Sequence, residues 1–308
     1  MIRELRDEDV PAAVRMLRVV HVAFVNTESS LRHSLAANRD DLRHRYWVAE
    51  EEGEIVGRAR ASFETFSSAR DVGRLNVSVA PKQRRRGIGA ALYSVAEEHL
   101  VHVGARRLVA TADDPAGRPF LEARGFRHTH TDVISAVEPA AVDLSGLPAL
   151  EAARAAEGLR LVPLATVRDR PRGMYELHTA VLEDVPTDTP YDEVGYEDWL
   201  RDDWSYPDIS DDGSFVVLDG ERPVSFAFLV VDPDGAMAVN AMTGTLRGYR
   251  GCGLARLVKL ASIRWAAEHG VERILTGNDE TNAAVLAVNR RLGYQPFTEH
   301  HVYAKELS

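Results

Sequence analysis

The sequence is poor in cysteine, in basic charge and in long apolar runs, and each shortage excludes a class of protein. Its 308 residues include one cysteine, Cys252, so no disulfide forms within the chain and a reducing compartment is expected. Lys and Arg number 37 against 47 Asp and Glu, and the resulting net charge of −10 argues against an open nucleic-acid surface. No apolar run approaches the ~20 residues that span a bilayer, and the charged start MIRELRDEDV does not read as a signal peptide. We therefore expect a cytoplasmic protein with no nucleic-acid or membrane partner.

The sequence instead contains a long internal repeat. Landmarks recur at one spacing of 166 residues: Arg84 with Arg250, Gly87 with Gly253, and Gly104 with Gly270. The tripeptides RGF, from Arg124, and LGY, from Leu292, are 168 residues apart, which requires only a two-residue insertion. Because this period is far longer than a solenoid repeat, the landmarks predict two copies of one domain.

Each copy predicts the same order of elements, β-α-β-β-β-α-β-α-β. Runs rich in apolar and β-branched residues predict the strands: IREL, YWVAEE, EIVGRARASF, RLNVSV and RRLVAT in the first copy, and LRLVPL, FVVL, VSFAFLVV, AMAVNAMT and ERILTG in the second. The turn sequences DGERP and DPDG join consecutive strands, so we expect an α/β fold whose twisted sheets are mixed but mostly antiparallel and flanked by helices. We assign residues 1–136 and 159–308 to two tandem domains, and residues 137–158 to a linker with a connecting helix.

Each copy places a basic, glycine-rich turn immediately before an amphipathic helix. In the first copy, RRRGIG starts at Arg84 and is followed by Leu92, Ala96 and Leu100 at helical spacing. The first N–H groups of a helix have no partner within it, and the helix dipole adds partial positive charge there. Glycines let a ligand approach the backbone, so both turns predict a site for a phosphate or pyrophosphate.

The two turns do not match the commonest phosphate-binding motifs. A P-loop requires Gly-Lys-Ser/Thr, and a dinucleotide-binding turn requires a third glycine and a following acid. The pattern that both copies share is Arg-x-x-Gly-x-Gly/Ala, at Arg84–Gly89 and Arg250–Ala255. This pattern, together with the repeated strands and the closing RGF and LGY, resembles the GNAT acyltransferase superfamily over nearly the whole chain.

The resemblance implies that acetyl-CoA binds at the turns. In that family the turn holds the pyrophosphate, and the preceding strand splays from its neighbour to bond the pantetheine and the thioester carbonyl. The resemblance also implies that the asparagines of the closing segment bond the pantetheine amides. The residues so implied are Val77, Val79, Arg84, Arg85, Arg86, Gly87, Ile88, Gly89 and Ala90 in the first copy, and Thr243, Thr245, Arg250, Gly251, Cys252, Gly253, Leu254, Ala255, Asn278, Asn282 and Asn289 in the second. Cys252 itself is interpreted as a small filler.

The resemblance further implies direct attack of an amine on the thioester, but the proton-transfer residues depart from the family pattern. Leu121 and Asn289 occupy the position of a tyrosine that protonates the thiolate in many relatives, and the carboxylate often found on the splayed strand is missing. The remaining candidates, near the second cleft by topology, are Tyr294, Tyr303, Glu299 and His300. We expect the second copy to be catalytic because it keeps TGNDETN, and the first, which has lost both asparagines, to be degenerate.

The acceptor is the least defined part of the prediction. Residues 183–221 hold fourteen acids and one base, Arg201, among several tyrosines and tryptophans. This indicates either a negative wall that attracts a cationic amine of a small molecule or peptide, or a solvated acidic loop. The pairs His128/His130 and His300/His301 lack a third ligand at metal spacing, so no metal site is predicted.

Two alternatives to catalysis stay open. Because proton-transfer groups are missing, the chain could be a CoA-binding regulatory or scaffold protein without turnover. It could also be a binding protein that uses the cleft between its two domains for another ligand. Two copies in one chain can mimic a dimer of single-domain relatives, so monomer and homodimer both remain open.

Overall fold

The chain folds into two compact units. A computed structural model describes residues 1–37, 40–65, 70–185, 194–234 and 236–307. Within these ranges the first unit comprises residues 1–132 and 299–307, and the second comprises residues 133–298. No helix among the described residues is long and apolar enough to cross a membrane.

The elements of the first unit follow the predicted order. Its strands are β1 (Ile2–Glu4), β2 (Arg45–Glu51), β3 (Glu54–Phe63), β4 (Val72–Val79) and β5 (Arg107–Ala112), and its helices are α1 (Val10–Val20), α2 (Glu28–Ala36), α3 (Ile88–His102) and α4 (Gly117–Glu122). Strand β6 (Arg127–Val137) begins in the first unit and ends in the second.

The second unit repeats that order. Its strands are β7 (Leu159–Pro163), β8 (Phe215–Asp219), β9 (Arg222–Val231), β10 (Met237–Thr245) and β11 (Arg273–Asp279), and its helices are α5 (Leu147–Ala156), α6 (Pro171–Leu182), α7 (Tyr196–Trp199), α8 (Leu254–Glu268) and α9 (Ala283–Arg291). The last strand, β12 (Gln295–Glu306), begins in the second unit and ends in the first. The predicted α/β fold in two copies is confirmed.

Each sheet is antiparallel except where it meets the strand after the glycine-rich turn. In the first unit β1 to β4 follow one another in antiparallel order, β4 pairs with β5 in parallel, and β12 pairs with β5 in antiparallel. In the second unit the order is β7-β8-β9-β10-β11-β6, with the parallel pair between β10 and β11. A parallel pair needs a crossover connection, and α3 and α8 supply it.

Alternation along the strands divides each core between the two faces of its sheet. On β8, Val217 packs with the cluster that includes Leu257 and Val258 of α8, whereas its neighbour Val216 packs with the cluster that includes Leu177 of α6. In the first unit the buried face of α3 packs against β3, and α1 packs with β2 and β3 in a separate cluster. Burial of each large apolar side chain contributes about 1.5–3 kcal/mol, so both sheets are held from both sides.

Candidate active site

A fork opens in each sheet where the two parallel strands separate. In the first unit β4 and β5 pair from Val72↔Arg107 to Leu75↔Ala110, but β4 continues unpaired on this side to Val79. In the second unit β10 and β11 pair as far as Val239↔Leu275, and β10 continues to Thr245. Beyond these points the backbone of the longer strand has one edge without a strand partner.

The parity of the β3–β4 ladder directs alternate backbone groups of β4 into the first fork. Ala80 N–H donates to Val56 O at 2.9 Å, so the even-numbered residues of this stretch pair with β3. The backbone groups of Val77 and Val79 therefore face the fork. Val79 O accepts from Arg84 Nε at 3.1 Å, which ties the strand to the turn that follows it.

The second fork has the same parity. Leu246 N–H donates to Val224 O at 3.0 Å, so the backbone groups of Thr243 and Thr245 face away from β9. Thr245 O accepts from Arg250 Nε at 3.0 Å, as Val79 O accepts from Arg84. A bulge between Asn240 and Met242 brings the threonines into this register.

Each glycine-rich turn presents a row of unused backbone donors. Left-handed backbone at Arg85 (φ 64°) and Gly87 (φ 84°) in the first turn matches that at Gly251 (φ 80°) and Gly253 (φ 87°) in the second. Among the hydrogen bonds of the described residues, none uses an N–H of residues 85–90 or 251–256. Such a row at a helix N-terminus favours an anion. Cys252 is half-buried there, and its thiol donates to Tyr249 O at 2.9 Å, which fits its role as a filler.

The two turns differ in the charge that they present. In the first, Arg84 pairs with Asp114 and Arg86 with Glu51, both at 2.9 Å, whereas Arg85 has no carboxylate partner among the described residues. The second turn has Gly251 at the position of Arg85.

The basic residues of the second turn are neutralised by one carboxylate. Arg247 and Arg250 both hydrogen-bond Asp184, with N–O distances of 2.6 and 2.5 Å. These two hydrogen bonds lower the pKa of Asp184 to about 2, so the carboxylate stays charged at neutral pH. The second turn therefore offers an incoming anion less positive charge than the first.

A cavity of about 450 Å³ joins the turn and the fork of the first unit. Its wall includes Val77, Ser78, Val79, Arg84, Arg85, Gly87, Gly89, Ala90, Thr111, Ala112, Asp113, Asp114 and Phe120. Seven of the nine residues that the resemblance implied for the first copy line it, the exceptions being Arg86 and Ile88. A larger cavity of about 660 Å³ in the second unit touches none of the residues implied for the cofactor.

The asparagines of the second unit bond one another and a buried lysine. Asn278 Oδ1 accepts from Asn289 Nδ2, and Asn289 Oδ1 accepts from Lys259 Nζ, both at 2.7 Å. Asn282 caps α9, because its Oδ1 accepts from Val285 N–H at 3.3 Å. Burial lowers the pKa of Lys259 to about 7. The three amides thus have partners within the protein.

The four catalytic candidates do not lie together near the second cleft, as the topological argument expected. Glu299, His300 and Tyr303 belong to the first unit, because β12 pairs there with β5 from His301↔Ala112 to Glu306↔Arg107. Tyr294 is 2% exposed in the core of the second unit, and burial raises the pKa of its hydroxyl.

Of these candidates, His300 comes closest to the first cavity. Its ring stacks on Phe24, with centroids 5.0 Å apart, and its charge acts on Asp113 in the cavity wall. Tyr303 is 2% exposed and donates to Glu122 at 3.3 Å.

The acidic segment of the second unit is only partly described, since residues 186–193, with Tyr191, lie outside the described ranges. Its tryptophans are core residues: Trp199 is 1% exposed and Trp204 7% exposed, and their rings stack with centroids 5.2 Å apart. Arg201 pairs with Asp198 and Asp202, so its charge is neutralised within the segment.

Sequence analysis missed a linked serine, histidine and aspartate in the first unit. His21 Nε2 lies 2.6 Å from Ser78 Oγ, and His21 Nδ1 hydrogen-bonds Asp113 Oδ2. Ser78 lies on β4, His21 follows α1, and Asp113 follows β5, so the fold brings together positions that are far apart in sequence. The available signal was the serine of VSVAP, but only a carboxylate was sought on that strand.

The environment of this cluster sets its protonation. Burial raises the pKa of Asp113, but the hydrogen bond from His21 and the charges of His21 and His300 outweigh this effect, so its pKa lies below the ordinary value. The ionised carboxylate accepts the Nδ1 proton of His21, which leaves Nε2 as an acceptor for the Ser78 hydroxyl. Asn76 Oδ1, at 3.2 Å, is a longer alternative acceptor for the same hydroxyl.

Comparison with known proteins agrees with this architecture. The family model described as "Acetyltransferase (GNAT) family" matches residues 12–126 and again residues 172–294. Two proteins named mycothiol acetyltransferase are similar to the chain: the one from Saccharomonospora viridis is 25% identical, covering 82% of this chain and 80% of its own, and the one from Amycolatopsis mediterranei is 28% identical, covering 97% and 95%.

Two solved structures have the same fold. A tandem GNAT protein from the clavulanic acid biosynthesis pathway superposes with a TM-score of 0.74 at 21% identity, covering 99% of this chain and 98% of its own. A GCN5-related N-acetyltransferase from Sphaerobacter thermophilus superposes with a TM-score of 0.65 at 16% identity, covering 99% and 95%.

Proposed function

The chain belongs to the GNAT family of acetyltransferases, and from that premise we propose that it transfers an acetyl group from acetyl-CoA to a primary amine of a small molecule or peptide. The amine attacks the thioester carbon directly, and the thiolate leaves. The two relatives named mycothiol acetyltransferase favour a small-molecule acceptor over a peptide.

The observation that carries this proposal is the cavity between the turn and the fork of the first unit. The six N–H groups of residues 85–90 and the guanidinium of Arg85 are placed to hold a diphosphate. The N–H groups of Val77 and Val79 face the fork, where they can donate to pantetheine and to the thioester oxygen. The cavity volume of about 450 Å³ lies within the usual range of small-molecule sites.

This geometry favours the first copy as the acetyl-CoA site, although the sequence favoured the second. In the second copy Asp184 neutralises Arg247 and Arg250, and no arginine stands at the position of Arg85. The retained asparagines Asn278 and Asn289 are bonded to each other. We therefore assign thioester binding to the first unit and leave the second a supporting role.

A thermal-shift titration with CoA tests which turn binds. We expect wild type and Gly253→Glu to be stabilised by CoA and Gly87→Glu not to be, because a carboxylate at residue 87 repels the diphosphate. Gly89→Ala is the matched control, since the second copy has Ala255 there and the added Cβ meets Val79 Cγ2 at an ordinary 3.5 Å. A shift lost only in Gly253→Glu would assign binding to the second copy instead.

Turnover is tested by incubating the protein with acetyl-CoA and a panel of amines while free thiol is measured. Thiol release that depends on one amine supports the proposal. CoA binding without release on any amine would favour the regulatory alternative, and no stabilisation by CoA would refute the proposed function.

A further inference from the structure

The cluster of Ser78, His21 and Asp113 has the connectivity of a nucleophilic triad. The base, His21, contacts the serine hydroxyl through Nε2 at 2.6 Å and is oriented by a carboxylate on Nδ1. These are the contacts that activate a serine hydroxyl in acyl transfer, and such sets are recognised by geometry rather than by order in sequence. Resting on the proposed function, we propose that Ser78 takes the acetyl group from the bound thioester and forms an acyl-enzyme in the first unit.

The position of Ser78 places it where the acyl group is expected. Ser78 lies between Val77 and Val79, whose backbone groups face the fork, and both Ser78 and Asp113 line the same cavity as the glycine-rich turn. The N–H groups of Val77 and Val79 supply donors for the oxyanion of a tetrahedral intermediate. Nucleophile, base and oxyanion donors thus converge on one end of one cavity.

The fold does not require these polar groups. The second unit builds the same fork with Gly244 at the position of Ser78, and Val181 fills the space beside it, 2.6 Å from where a Cβ would stand. The aspartate equivalent to Asp113 is Asp279, which accepts instead from the backbone N–H of Thr281 at 2.7 Å. Burying three polar side chains is unfavourable unless they are fully paired, so their presence in only one fork indicates a use in that fork.

The chemical steps balance without a further reactant. The Ser78 Oγ–H proton moves to His21 Nε2 as Oγ bonds to the thioester carbon. The C–S bond then breaks, and the thiolate takes that proton, which leaves O-acetyl-Ser78 and CoA. The acceptor amine attacks the ester, gives its proton to Nε2, and Ser78 Oγ recovers it as the C–O bond breaks. Water in place of the amine would release acetate. Asp113 remains ionised and holds the His21 ring throughout.

Mass spectrometry of the acid-quenched protein tests the acyl-enzyme. Wild type is mixed with acetyl-CoA in the absence of an amine, digested, and searched for an acetyl group on the peptide that contains Ser78. We expect the adduct in wild type, its loss in Ser78→Ala, and a hydroxylamine-sensitive thioester adduct in Ser78→Cys. Ser62→Ala is the matched control, because Ser62 is 2% exposed on the neighbouring strand β3.

Thiol release gives the second readout and separates this inference from the proposed function. We expect Ser78→Ala to lower the rate about 10³-fold, with CoA stabilisation retained. If His21 instead acts directly on the amine, His21→Ala loses activity while Ser78→Ala keeps it, which overturns the serine step but leaves the acetyltransferase intact. Absence of the acetyl group from Ser78 at every quench time also overturns the acyl-enzyme. Loss of CoA binding in wild type would instead refute the proposed function.

Discussion

The glycines of the first turn show how single residues are matched to backbone geometry. Gly87 has φ 84°, where an L side chain is strained, whereas Gly89 lies inside α3 without such an angle. Neither position lacks room for a Cβ. We expect Gly87→Ala to lower the free energy of unfolding by about 1 kcal/mol through left-handed strain, and Gly89→Ala to raise it by about 0.5–1 kcal/mol through helix propensity. Urea unfolding of both variants measures this, and equal effects would contradict it.

Lys259 is predicted to make stability depend on pH. It is 2% exposed, donates to Asn289, and has a folded-state pKa of about 7 because of burial. An unfolded-chain lysine has a pKa of about 10.4, so between these values the unfolded state binds more protons. The free energy of unfolding therefore rises with pH from about 7 to about 10, by at most about 1.4 kcal/mol per pH unit.

The Lys259→Met variant isolates this contribution. Other titrating groups are shared by both proteins, so they cancel in the difference between wild type and variant. Loss of the donor to Asn289 adds an offset that does not vary with pH. We expect the difference in free energy of unfolding to move in favour of wild type from pH 7 to pH 9, and a difference independent of pH would show that the lysine titrates normally.

Individual side-chain functions were the part of the site that the sequence predicted least. The turns at Arg84 and Arg250 could be predicted because their chemistry is local: glycines, charge and a helix start lie within a few residues. The contact between His21, Ser78 and Asp113 depends on the packing of α1 against the sheet and on where β4 and β5 diverge. No periodicity in the chain carries that information.

At the scale of elements, the most consequential contact is the pairing of β12 with β5. Val302 and Tyr303 of β12 are 5% and 2% exposed within the first unit, and Lys305 pairs with Glu97 at 2.6 Å. Deleting residues 299–308 removes these contacts and the ladder to β5. Since each of the two buried side chains contributes about 1.5–3 kcal/mol, the deletion removes much of a marginal domain's stability.

Hydrogen exchange across β5 measures the effect of this deletion. We expect residues 107–112 to lose protection in the truncated chain, while the β8–β9 hairpin of the second unit exchanges as in wild type. Phe297→Ala is the control on the same strand, because Phe297 is 38% exposed and its loss should cost less than about 0.5 kcal/mol. Unchanged exchange in β5 after truncation would contradict the importance of β12.

The order of elements was predictable, but their partners were not. Turn sequences such as DGERP lie between strands that pair as neighbours, so the antiparallel β8–β9 hairpin followed from local sequence. The partner of β12 is more than 180 residues away in sequence, and no local pattern specifies it. For the same reason Glu299, His300 and Tyr303 were expected near the wrong fork.

At the scale of the whole molecule, the two copies retain one scaffold but have diverged in chemistry. Both keep a fork, a turn with six unused amides, and an arginine that bonds the end of the splayed strand. The first copy adds an unpaired arginine at 85 and the Ser78 cluster, whereas the second fills the corresponding space with Val181 and bonds its asparagines to Lys259. The shared parts are those that backbone geometry supplies, and side chains supply the differences.

This divergence predicts that CoA protects one unit and not the other. A ligand at 100 times its dissociation constant stabilises the native state by about 2.7 kcal/mol, and the effect falls on the segments whose opening releases it. Exchange should therefore slow in β4, in the first turns of α3 and in β5, and also in residues 301–306, which pair with β5. Peptides from β9 and α8 should be unchanged. Hydrogen exchange with and without CoA measures this in one experiment, with Gly87→Glu as the control in which all protection is lost. Protection of α8 instead, with the first unit unchanged, would assign the acetyl donor to the second copy.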